Sequence, residues 1–200
     1  MKKTHSLGNV KNLTLLALMT ALVVVFQLIA SFIPLGFNVG ALCLVPIVIG
    51  AAMLGPAAGA WLGLVFGIVV IATGAASAFY VMGVIETVIV VLLKGALAGF
   101  VSGLLYRLLA KKNSLLAIVI ASIACPVVNT AIFTLACFTI FFPGISDWAT
   151  GAGKDMITYV FLTLIGANFF VEIGISAVFS SVAERLIAVG QKMRHDKSYL

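Results

Sequence analysis

The chain has 200 residues, 63% of them hydrophobic and only 9% charged, with a net charge of +6 and a mean hydropathy of +1.26. That composition excludes a soluble domain and leaves no length for a separate catalytic or nucleotide-binding domain, because about six spans of about 20 residues consume nearly all of it. The positive charge is not a nucleic-acid footprint, since Lys and Arg lie beside the ends of the apolar runs, where membrane loops carry them.

In chain order, the expected helices cover about 13–33, 41–54, 57–73, 84–109, 115–142 and 156–189, in a single membrane domain over 1–200. The first follows a basic start but is too long for a signal-peptide core and is followed by further spans, so it reads as a membrane helix. Pro34 and Gly36 stop it. The second is short, interrupted by Pro46 and Gly50, and ends at Gly55-Pro56. A small-residue loop with Phe79 and Tyr80 covers 74–83. The basic run Arg107, Lys111 and Lys112 closes the fourth helix. Pro143-Gly144 breaks the fifth, and a polar loop over 145–155 contains Asp147 and Trp148.

With six spans both termini share a side. Ten of the Lys and Arg residues then fall on that side, leaving Lys154 in an opposite loop and Lys94 within a helix. The positive-inside rule therefore predicts an all-α integral membrane protein with six transmembrane helices and both termini cytoplasmic.

Two stripes of small residues stand out. Gly59, Gly63 and Gly67 recur every fourth residue on the third helix, and Gly95, Gly99 and Gly103 do so on the fourth. Such stripes let another backbone approach closely, either within the bundle or from a second membrane protein. The first helix carries the lighter pair Ala17 and Ala21.

Polar groups at membrane depth are costly, by about 2.5–3.5 kcal/mol per charge on insertion scales. Lys94, Asn129 and Asn168 sit at similar depth, and Glu172 is one turn beyond Asn168 on the same face. One reading is a buried Lys94–Glu172 pair and two amides that stitch the bundle together. The other is a solute pocket in which Lys94 faces an anionic group and the asparagines bond amides or hydroxyls. Glu86, at a helix start, is a solvated carboxylate or a ligand contact.

Cys43, Cys125 and Cys137 lie in apolar segments and read as small buried hydrophobes. There is no metal-ligand spacing, no Walker loop and no nucleophile elbow, and Gly151-Ala-Gly153-Lys154 lacks phosphate-loop spacing. No cofactor, metal or enzymatic activity is expected.

Several ordered segments carry a family resemblance: Leu13-Thr-Leu-Leu-Ala17-Leu-Met-Thr-Ala21; Phe37-Asn38 leading to Val45-Pro-Ile-Val-Ile-Gly50 and Gly55-Pro-Ala-Ala-Gly59; Leu93-Lys94-Gly; Pro126-Val-Val-Asn129-Thr130 with Phe133; and Ala167-Asn168-Phe-Phe-Val-Glu172. In this set the chain resembles the substrate-binding S components of energy-coupling factor vitamin transporters. The resemblance implies a six-helix subunit in the plasma membrane of a prokaryotic-type cell. It captures a vitamin or related micronutrient from outside and associates with a membrane-embedded energy-coupling subunit and two cytoplasmic ATPases, which hydrolyse ATP. The S component topples in the membrane to deliver its ligand.

By position, the resemblance assigns ligand contacts to Phe37, Asn38, Tyr80, Glu86, Lys94, Asn129, Phe133, Trp148 and Asn168, and partner docking to Ala17 and Ala21. Pantothenate is the leading ligand, with riboflavin, folate or another vitamin as alternatives. The competing function is a stand-alone proton-coupled secondary transporter using Glu86 and Glu172, although the two-fold internal repeat common in such proteins is missing.

Overall fold

The computed structural model describes residues 10–32, 41–166, 169–180 and 184–185. Phe37, Asn38 and Asn168 lie outside them, as do the segment 34–40 between the first two expected helices and residues 167, 181–183 and 186–189 of the last expected helix. Among the described residues the chain is helical with no strand. The helices are α1 (Val10–Phe32), α2 (Ala41–Leu54), α3 (Pro56–Ala72), α4 (Val84–Leu109), α5 (Ser114–Phe138) and α6 (Phe142–Gly151). A 3-10 helix, Ser77–Met82, joins α3 to α4. The last span, Met156–Ser180, opens with one α-turn, passes into a π-helical stretch over Tyr159–Ile165, and is helical again over 169–180.

Four helical segments are long and apolar enough to cross a membrane: Val10–Ser31, Val84–Leu109, Ser114–Phe138 and Met156–Ser180. The apolar stretches Leu42–Leu54 and Pro56–Ala72 are shorter. At 1.5 Å rise per residue, α2 is about 21 Å long, against about 30 Å of hydrocarbon. It is also largely enclosed, with Cys43, Leu44, Ile47, Val48, Ile49, Ala51 and Leu54 all buried. A helix wrapped in protein need not match the bilayer thickness.

The bundle is apolar on the outside. On α4 the exposed row is Ile85, Ile89, Leu93, Leu97, Phe100, Leu104 and Leu108, at three- and four-residue steps. Its buried row contains Thr87, Gly95, Gly99, Ser102 and Gly103 among small apolar residues. This inversion of the water-soluble pattern matches lipid contact outside and close helix packing inside.

The two glycine stripes pack on each other. A Cβ added at Gly63 would collide with the Gly95 carbonyl, and one at Gly95 with the Gly63 carbonyl; Gly59 and Gly99 oppose each other in the same way. One turn further along, a Cβ added at Gly67 would lie 3.0 Å from the carbonyl oxygen of Val91. The stripes are therefore intramolecular packing, and α3 and α4 form the most extensive helix pair. Ser102 adds a cross-helix bond, its hydroxyl donating to the Ala121 carbonyl of α5 at 2.9 Å. The α2–α3 joint needs Gly55, whose φ of 101° suits glycine. Pro56 then occupies the first helical turn, where its missing N–H costs nothing.

Two expectations are corrected. The helix expected over 115–142 ends at Phe138, and the segment read as a polar loop over 145–155 is mostly α6. Pro143 does break the chain, but it does so as a first-turn residue of the next helix. Ile145 and Ala149, four apart, bury that helix's inner face. The loop expected over 74–83 likewise contains the 3-10 helix.

Candidate functional site

Two apolar clusters build the interior. The larger joins α1 to α5 through residues such as Val23, Leu44, Leu62, Phe66, Val91 and Ile118. The smaller gathers Val90, Cys137, Phe141, Ile145, Val160 and Ile165 around the 3-10 helix and α6. A cavity of about 250 Å³ lies where they meet. Leu44, Phe66, Val70, Ala76 and Val91 reach it from the first cluster, and Val90, Phe141 and Ile165 from the second. The volume is just below the common range for small-molecule sites, about 300–1,000 Å³.

Three of the polar groups that line this apolar space stand out: Lys94 from α4, Asn129 from α5 and Glu172 from the last span. They come from three helices, and each interrupts an apolar helix face. Lys94 Nζ stands 5.3 Å from the centre of the Phe133 ring, within cation–π range. Asn129 is 8% exposed, and its Oδ1 has no hydrogen-bond partner among the described residues. Neither has the buried Oε2 of Glu172. No ion pair joins Lys94 to Glu172; both instead open onto the shared cavity.

One wall is aromatic. Phe79, on the 3-10 helix, contacts Phe133 edge-on at 5.4 Å between ring centres, and Phe141 and Trp148 at 5.6 Å each. Such contacts contribute about 0.5–1.5 kcal/mol each beyond area burial and order the wall. Thr87 pins it from behind: its hydroxyl lies 2.7 Å from the Gly83 carbonyl and 3.1 Å from the Phe79 carbonyl, either of which accepts its proton. Gln27 also lines the cavity, entering from α1. Its Oε1 accepts from the Cys43 thiol at 3.3 Å, and Ser31 donates to the Gln27 carbonyl at 2.8 Å.

The last span is irregular beside the cavity. Its π-helical stretch carries Leu164 and Ile165, both in the cavity wall, and ends at Gly166, with φ at 35°. Phe169 lines the wall beyond the break. Non-α backbone at membrane depth is tolerated where it borders protein or a polar cavity, and π-turns recur at functional sites.

The cavity thus brings together Lys94, Asn129 and Phe133 of the residues expected from sequence. Tyr80, Glu86 and Trp148 do not line it. Glu86 is exposed, with its carboxylate folded against Gly83. Trp148 supports Phe79 from behind and borders a separate surface hollow with Val81, Met82 and Asp147. Gln27, Thr87, Thr130, Phe79 and Phe141 line the cavity without having been singled out as ligand contacts. Gln27 had a legible signal, as an amide inside an apolar helix; the aromatic residues had none, because phenylalanine is common throughout the chain. Among the described residues no group of three or more His, Cys, Asp or Glu is placed to hold a metal ion.

Inside-out helical packing with polar groups around a small cavity is the pattern of membrane proteins that handle a solute. The family model described as "ECF transporter, substrate-specific component" matches residues 11–183. The chain belongs to this family: it is a substrate-binding subunit of a transporter rather than an enzyme, and its family associates with an energy-coupling membrane component and ATPases. No curated protein and no solved structure matches the chain significantly.

Proposed function

We propose that the cavity between α4, α5 and the last span is the substrate site, and that it captures a vitamin or related micronutrient from outside the cell for ATP-driven import. The observation that carries this reading is the convergence of Lys94, Asn129 and Glu172 on one apolar-walled space, with no ion pair between Lys94 and Glu172. Pantothenate is the leading candidate. Its carboxylate suits Lys94, its hydroxyls and amide suit Asn129 and Thr130, and the small volume supports it over the larger folate. Riboflavin and other vitamins are the alternatives. Phe37, Asn38 and Asn168 complete the proposed contacts by sequence position.

The proposed topology has six crossings, with the short α2 shielded inside the bundle and both termini cytoplasmic, in the plasma membrane of a prokaryotic-type cell. Two ATPases and a membrane-embedded coupling subunit drive delivery, docking on Ala17 and Ala21.

The test is thermal unfolding of the purified protein in detergent with pantothenate, riboflavin, folate and pyridoxine. A ligand at 100 times its Kd stabilises the folded state by about 2.7 kcal/mol. One compound is expected to raise Tm, and Lys94→Met is expected to abolish that rise while leaving the ligand-free protein folded. A rise that survives Lys94→Met places the binding elsewhere.

A further inference from the structure

The polar groups of the cavity have a definite hydrogen-bonding sense. Lys94 only donates. The unpartnered atoms, Asn129 Oδ1 and Glu172 Oε2, are acceptors, and both are buried. The nearby hydroxyl of Thr87 is occupied by backbone carbonyls, so it does not supply their missing donors. Gln27 is likewise engaged, with its amide nitrogen donating to Ser31 Oγ at 3.4 Å and its oxygen accepting from Cys43. The cavity therefore offers Lys94 as a cationic donor, the Thr130 hydroxyl, which can donate or accept, and two acceptors in search of donors, inside walls made mostly of Phe, Val, Leu and Ile.

We infer that the site selects its ligand by hydrogen-bond donors: the ligand presents N–H or O–H groups to Asn129 and Glu172 while an acceptor or anionic group meets Lys94. An anion without donors is rejected, because its charge would sit beside the Glu172 carboxyl and leave both acceptors desolvated and unpaired. This inference rests on the reading of the cavity as the substrate site and specifies what that site recognises.

The physical basis is the asymmetry of buried hydrogen bonds. An unsatisfied buried acceptor bears its full desolvation penalty, and a ligand that supplies the donor recovers it. Sites of this kind reject analogues lacking the donor by factors of roughly 10⁴–10⁵ in favourable cases. A purely structural Asn129 or Glu172 would gain by pairing within the bundle. The orphaned atoms instead make the ligand-free fold less stable than an apolar or neutral replacement would.

Two features can be read in one experiment on the purified full chain. Thermal unfolding and equilibrium binding are measured with pantothenate, riboflavin, folate and pyridoxine, all of which carry donors, and with hexanoate as an acceptor-only anion. A vitamin is expected to bind and hexanoate to give no shift at equal concentration. Asn129→Leu and Glu172→Met, which remove the acceptors, are each expected to weaken the binding vitamin tenfold or more, while the ligand-free Tm holds or rises. If both variants bind within twofold of the unmodified protein while Lys94→Met does not bind, the donor rule is overturned and the cavity reading stands. If both lower the ligand-free Tm and leave affinity unchanged, the two residues hold helices together and the inference also fails. Binding indifferent to all three substitutions, or no binding of any compound, removes the substrate-site reading itself.

Discussion

Lys94 and Asp155 show how differently a charge behaves in the two environments of this chain. Lys94 is set in an apolar helix face and leans on Phe133 at the cavity wall. Asp155 is fully exposed just before the last span and caps it, with Oδ2 accepting the Thr158 backbone N–H at 2.9 Å. Hydrogen bonds from the Thr158 side chain and backbone hold its carboxyl below the usual carboxylate range. A depressed folded value means that the cap contributes stability above the ordinary carboxylate pKa of about 4. The contribution fades as pH falls through the lower folded value. Asp155→Ala is therefore expected to lower Tm at neutral pH, with the gap to the unmodified protein closing below about pH 4. Asp155→Asn, which keeps a capping oxygen but not the charge, should lose the part of the stability that acid removes from the unmodified protein. A pH series of thermal melts on the three proteins checks this; a gap unchanged by acid would assign the effect to something other than the charged cap.

At the scale of elements, the α3–α4 pair is held by shape. Gly59 and Gly63 meet Gly99 and Gly95 with backbone against backbone, a separation that no side chain permits. Close approach of this kind substitutes for the hydrophobic drive that lipid removes. Gly63→Val is expected to separate the helices and destabilise the fold by about 1–3 kcal/mol or more. Leu97→Val, on the exposed face of the same helix, should stay within about 0.5 kcal/mol. Denaturation in mixed micelles compares them. The same pair fixes the cavity, since Phe66 and Val70 reach it from α3, and Thr87 and Lys94 from α4. Gly63→Val should accordingly weaken ligand binding without touching the ligand.

At the scale of the whole molecule, α1 divides its faces between core and exterior. Met19, Val23 and Gln27 form its buried row, and Gln27 reaches the cavity. Ala17 and Ala21 are exposed on another side of the helix. Nearby, Trp61 of α3 is half-exposed, and its Nε1 donates to Thr20 Oγ1 at 3.3 Å, tying the two helices at that surface. If the alanines are the docking site, Ala17→Trp and Ala21→Trp should prevent co-purification with the energy-coupling subunit and leave vitamin binding by the isolated protein unchanged. Loss of binding in the isolated protein would mark them as packing positions.

Membrane residence, the approximate helix positions, and the polar identities of Lys94, Asn129 and Glu172 were all legible in the sequence. Hydropathy and helix periodicity act over one or two turns, so a single strand of residues carries them in full. The helix start at Phe142 was also written there, in Pro143 followed by Ile145 and Ala149, but the proline was read as a stop. Tertiary structure decided the rest. It laid one glycine stripe against the other instead of against a partner. It brought Gln27 from α1 to the cavity wall, and kept Tyr80, Glu86 and Trp148 off it. It also turned Lys94 and Glu172 toward a common space without pairing them. Each of these outcomes depends on the rotation and register of one helix relative to another, which are set by the summed contacts of whole faces. No local window of the chain contains that sum.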